Sequence, residues 1–124
     1  MPSKTISGRI HVTSLEDPCL VTPEEAKRMR ARVVTLEPGK EVGEHTTENR
    51  EELVVVLEGA IVLIGPDSEH TMKIGQAAFI PLNTVHNVKN KTKRQARYMY
   101  VLALHEEYSK IKGHAHGHAG PHHN

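Results

Sequence analysis

From residue 51 onward, turn residues interrupt the chain at short, even intervals, and that rhythm limits what it can fold into. "ELVVVLEGAIVLIGPDS" reads as two strands pivoting near Glu58-Gly59, with a second break at Gly65-Pro66-Asp67. "HTMKIG", "QAAFIPL", "TVHNVKN" and "ARYMYVLAL" follow in the same manner. Short strands repeated within a single domain of 124 residues predict an all-β sandwich or barrel. In the first of these strands Glu52, Val54 and Val56 share one face, and Leu53, Val55 and Leu57 the other. Both faces are apolar, which predicts a strand covered on both sides. Only "VTPEEAKRMRAR" carries a helix signal. Thr22 suits the N-cap, Pro23 the first helical position, and Glu25 completes a capping box, so a short N-terminal helix is expected. Arg28, Arg30 and Arg32 beside it read as solvated charge with stems lying on apolar surface.

Charge and composition narrow the function. A formal net charge of +1 gives no overall pull toward nucleic acid or an anionic membrane. "KNKTKR" at 89–94 is basic, but one Phe, three Tyr and no Trp leave few platforms for base stacking. It reads as a charged loop that keeps a sheet edge soluble. No apolar run suits a secretory signal or a membrane helix, and the lone Cys19 cannot build a disulfide framework. A cytoplasmic protein is expected. Cys19 lies in "EDPCL", where acidic neighbours discourage the thiolate, so it is not read as a nucleophile.

The last residues change character. "GHAHGHAGPHHN" has no periodic apolar face, and residues 109–124 read as a flexible His-rich tail. Its His114, His116, His118, His122 and His123 suit loose chelation of Ni, Cu or Zn, or no metal role at all. A metal-handling protein that uses this tail is one possible function.

The central intervals carry a resemblance. Gly39 is followed by five residues and His45, with Thr47 two positions on; Glu52 comes after four more residues and Gly59 after a further six. Downstream, Gly75, Pro81, Asn83, His86 and Asn90 stand at a second set of intervals. Together these resemble the two motifs of the cupin superfamily, with Thr47 where the second histidine of the first motif stands and Asn83 in place of a turn glycine. Asn is the non-glycine residue that best tolerates a positive φ. The resemblance implies a single-domain double-stranded β-helix, or jelly-roll barrel, over residues 32–108. An N-terminal segment, residues 1–31, would precede it.

Strand parity puts His45 with Thr47, and His86 with Val88 and Asn90. If those faces converge with that of Glu52, the three groups meet in the interior. They would form either a metal site or a set of satisfied core polar groups. Metal-binding cupins usually present three histidines and a glutamate. Here the resemblance implies His45, Glu52 and His86 as ligands, the set of a two-His-one-carboxylate triad suited to Fe, Mn, Ni or Zn. Thr47 is a weak ligand that would instead orient a bound water. Val54, Val56, Ile80 and Val88 would line the pocket. The expected function is binding of, or action on, a small polar metabolite, by dioxygenase or isomerase chemistry if the protein is an enzyme. The alternative is a metal-free sensing module. Tyr98 and Tyr100, on the long last strand, suggest an exposed apolar surface, and small cupins commonly pair, so a homodimer is expected.

Overall fold

The computed structural model describes residues 10–104. Eight strands follow one another: β1 (Met29–Leu36), β2 (His45–Thr46), β3 (Arg50–Glu58), β4 (Ala60–Ile64), β5 (Glu69–Lys73), β6 (Ala77–Ile80), β7 (Val85–Lys89) and β8 (Ala96–Leu104). They form two four-stranded sheets, ordered β1-β8-β3-β6 and β2-β7-β4-β5, in which every pairing is antiparallel. The polypeptide crosses repeatedly from one sheet to the other, so each sheet combines strands distant in sequence. This is the expected jelly-roll arrangement.

Alternation explains which residues lie between the sheets. On β3, Val54 and Val56 are buried with Leu36, Ile61, Leu63, Met72, Ile80, Val88, Ala96 and Tyr98 in the main core. The opposite face is covered only in part. Leu57, Met99 and Val101 pack with Ala31, Val33 and Leu20 in a second cluster. Leu53, by contrast, remains 43% exposed and its cross-strand partner Phe79 59% exposed. A strand expected to be covered on both sides is therefore open at one end of its outer face.

Two turns show why particular residues occupy motif positions. At Gly59 (φ +70°) a Cβ would lie 2.7 Å from the Gln95 carbonyl oxygen, so only glycine fits between β3 and β4. Asn83 adopts φ 52°, the left-handed conformation anticipated for it in place of glycine, and its N–H donates to the Glu48 carbonyl at 2.7 Å. Asn90 is buried with both ends of its amide bonded. Its Nδ2 donates to the carbonyls of Leu36 and Arg94, and its Oδ1 accepts from the N–H and hydroxyl of Thr92.

The expected N-terminal helix is a single turn, and no helix occurs among the described residues. The capping box does form. The Thr22 N–H donates to Glu25 Oε1 at 2.8 Å, and the Glu25 N–H donates to Thr22 Oγ1 at 3.3 Å. Propagation fails because Arg28 and Met29 are taken by the sheet, where Met29 pairs with Ala103 and the Leu104 N–H donates to the Arg28 carbonyl. A helical nucleus this short gains little against a sheet edge already in place. Residues just before it extend that edge, through a bridge between Cys19 and Arg32 and a hydrogen bond from the Leu20 N–H to the Ala31 carbonyl.

A second correction concerns the final strand. Tyr98 is only 3% exposed and belongs to the core, and Tyr100 packs against that core, so neither forms an exposed apolar surface. The tail histidines 114, 116, 118, 122 and 123 lie outside the described residues. No helix among the described residues is long and apolar enough to cross a membrane.

Candidate metal centre

The two histidines face each other because β2 and β7 pair in a register that sets His45 opposite His86. Their rings meet edge-on, with centroids 4.2 Å apart and planes at 62°. Glu52 comes from the other sheet, on the inward row of β3 that continues as Val54 and Val56. One donor atom from each of the three residues lies within 4.8 Å of the others. Donors about 2.0–2.2 Å from a shared ion lie about 3–4 Å apart, so small side-chain adjustments would bring this set onto one ion.

Hydrogen bonds give the histidines a common orientation. His45 Nδ1 lies 2.7 Å from the Gly43 carbonyl oxygen and His86 Nδ1 lies 3.0 Å from the Thr84 carbonyl oxygen. A carbonyl can only accept, so each Nδ1 carries a proton and each neutral ring keeps its Nε2 lone pair free. His86 Nε2 is buried and, among the described residues, has no hydrogen-bond partner. The nearest polar atom recorded for it, Glu52 Oε1 at 3.4 Å, is also a lone-pair donor. Leaving such a nitrogen unpaired costs about 1–3 kcal/mol, and coordination of a cation would remove that deficit. The residues present therefore fit a metal ion.

The surroundings act on charge in a consistent direction. Burial disfavours the His86 imidazolium, but the Glu52 carboxylate and the Thr84 carbonyl outweigh it and raise the pKa above the ordinary histidine value. Burial raises the phenol pKa of Tyr98 and Tyr100, and the Glu52 charge adds to this. The Arg32 guanidinium opposes the rise at Tyr100 without cancelling it. Both tyrosines are thus neutral donors at ordinary pH. They line a cavity of about 390 Å³ together with Val34, Glu44, His45, Glu52, Val88 and Leu102.

Thr47 has a structural task in this centre. Its buried hydroxyl donates to the Pro81 carbonyl at 2.7 Å and accepts from the Thr84 N–H at 3.0 Å. It therefore braces the turn whose Thr84 carbonyl holds His86. Asn87 is the counterpart for His45 and was missed from sequence. Its Oδ1 accepts from the Gly43 N–H at 2.8 Å, and Gly43 in turn holds His45 through its carbonyl. The Asn87 Nδ2 is fixed on Glu41 Oε1 at 2.8 Å. Each histidine is thus aimed by a carbonyl that a side chain beside the partner strand holds in place. No spacing rule would have identified these two, because the bonds join residues more than thirty positions apart.

Of the four residues expected in the pocket, Val88 lies in the cavity wall. Val54, Val56 and Ile80 belong to the packed core deeper in the interior. Arg32 is exposed, as expected of a solvated charge. It shares strand parity with Val34 and Leu36, which face inward, and it stands opposite Tyr100.

Comparison with known proteins agrees with this architecture. The cupin-domain family profile matches residues 32–102. Among solved structures, the chain resembles the cupin domain of Schizosaccharomyces pombe Cnp3 with 22% identity and a TM-score of 0.68, over 77% of this chain and 68% of that one. A predicted oxalate decarboxylase from Thermotoga maritima matches with 24% identity and a TM-score of 0.66, over 70% of this chain and 77% of that one. A sugar phosphate isomerase of the cupin superfamily from Silicibacter pomeroyi matches with 28% identity and a TM-score of 0.60, over 70% of this chain and 59% of that one. No curated protein sequence matches the chain. With two motifs in order, two facing antiparallel sheets and a family match spanning more than half of its length, the chain belongs to the cupin family.

Proposed function

We propose that this cupin binds one divalent transition metal through His45 Nε2, His86 Nε2 and the Glu52 carboxylate, and takes a small polar metabolite into the adjoining cavity. The buried, unpartnered His86 Nε2 beside Glu52 carries this reading. A bound ion of this class supplies a Lewis acid with open coordination positions. The chain's own contribution is to hold two neutral imidazoles by their Nδ1 protons and to offer the hydroxyls of Tyr98 and Tyr100 from the wall. The surrounding apolar residues limit access of water. The isomerase and decarboxylase names among the similar structures support a metabolite of modest size, as does a cavity near the lower end of the usual range of about 300–1,000 Å³.

The test compares the full chain with its His86→Ala variant by equilibrium dialysis with Co(II) or Zn(II). Both proteins keep the tail histidines, so the difference isolates the interior site. One tight site per chain, lost or weakened about a hundredfold or more in the variant, is expected. Equal tight binding by both proteins would overturn the reading.

We also propose that the chain forms a homodimer through the outer face of the β1-β8-β3-β6 sheet, where Leu53 and Phe79 stand side by side and exposed. Light scattering at micromolar concentration should give twice the chain mass. A Phe79→Ser variant should shift the protein toward monomer, and a monomeric parent protein would refute the pairing.

A further inference from the structure

The last described strand ends beside the candidate metal centre. On β8, Leu102 stands opposite Glu52 and Leu104 opposite Arg50, so the strand finishes one inward position past the carboxylate. Two residues advance a strand by about 7 Å. Leu102 also lines the cavity that His45 and Glu52 share. Glu44 is both exposed and part of the same wall, so the cavity opens to solvent there. Beyond Leu104 the sequence reaches His114 in ten residues, and His116, His118, His122 and His123 follow within nine more. Ten residues of chain span up to about 33–36 Å. Covalent geometry thus leaves these imidazoles within reach of the cavity mouth.

We propose that the tail histidines capture a divalent transition-metal ion and pass it to His45, Glu52 and His86, acting as a tethered depot that loads the interior site. This inference rests on the metal-centre reading above. The affinity gradient runs inward. From 113 to 124 the tail carries no acidic side chain, so its neutral imidazoles hold an ion only loosely. The interior adds the Glu52 carboxylate, and its two rings are already oriented by the Gly43 and Thr84 carbonyls. His86 Nε2, buried and unbonded among the described residues, gains most when the ion arrives. The transfer exchanges one set of lone-pair donors for another, so no proton or electron need move. Entry from bulk water is the slow step, because the apolar wall of Val34, Val42, Val88 and Leu102 offers a hydrated ion little solvation. Imidazoles on the same chain hold the ion at the mouth, where such linkage gives effective concentrations on the order of millimolar.

The experiment mixes metal-free full chain with a limiting amount of Co(II) at micromolar concentration and follows the visible absorption of the ion over time. The part of that absorption lost in His86→Ala reports the interior site. The comparison protein is a full-length variant carrying His114→Ala, His116→Ala, His118→Ala, His122→Ala and His123→Ala. The parent should fill the interior about tenfold or more faster than this variant, with the same interior affinity at equilibrium in both. A synthetic peptide of residues 113–124, added in equal amount, should not restore the rate of the variant. Equal rates, a slower parent, or full rescue by the free peptide would refute the hand-off and leave the metal centre standing. If no His86-dependent absorption develops in either protein, both readings fall together.

Discussion

On β3, Glu52 and Val54 are successive inward-facing residues, yet their surroundings differ in kind. Around Val54 the sheets meet as a dry core, in which Val56, Ile61, Ile80 and Ala96 are almost fully enclosed without a polar side chain among them. Around Glu52 the same alternation brings two histidines and a carboxylate together, with a nitrogen that makes no hydrogen bond to any described residue. One region satisfies every group by packing, and the other encloses groups whose bonding is incomplete. Burial therefore does not distinguish core from site in this barrel. Unmet hydrogen-bonding capacity does, because a dry core tolerates few such groups.

Substitutions in the two regions should separate stability from binding. The largest stability effect is expected in the dry region. Ile61→Ala should cost about 2–5 kcal/mol, read as a lower midpoint in urea, with one interior metal still bound by the folded protein. If metal affinity fell in parallel, the two regions would be a single unit.

Thr47→Val joins the two properties. Removing the hydroxyl leaves the Thr84 N–H without its acceptor and the Pro81 carbonyl without its donor, and should destabilise by about 1–3 kcal/mol. It also loosens the turn that aims His86, so metal affinity should drop about tenfold. Isothermal titration beside chemical denaturation would check both. A stability loss with metal affinity unchanged would show that the brace does not reach the histidine.

The smallest effect is a pH dependence. The His86 pKa is raised in the folded chain, so folding takes up a proton where the unfolded chain has released it. The resulting stabilisation of metal-free protein is complete below about pH 6.5 and is lost as pH rises through the elevated value. Metal affinity should run the opposite way, increasing with pH as protons cease to compete for Nε2. Denaturation midpoints at several pH values, with and without Zn(II), should therefore diverge as pH increases. Parallel curves would contradict the raised pKa.

Much of this could be read from the sequence. Short alternating segments gave the all-β class, and the intervals from Gly39 to Gly59 and from Gly75 to Asn90 pointed to the three residues that the structure brings together. The helix at Thr22 was misjudged because a capping box is a local signal, whereas Met29 is drawn into pairing with Ala103, far along the chain. Arg32 is the exposed charge that its sequence context suggests, but its neighbours were those of a strand rather than a helix. As a strand residue it shares a face with Val34, and only that parity reveals its place beside Tyr100.

The sequence by itself determined the alternation, the turn positions and the identity of the candidate ligands, since these depend on near neighbours and on backbone sterics. Tertiary structure alone decided that Thr47 and Asn87 aim the histidines, that Tyr98 and Tyr100 face the cavity rather than solvent, and that Arg32 stands opposite Tyr100. Those outcomes depend on how two sheets meet. A hydrogen bond between residues more than thirty positions apart exists only once both sheets are in place.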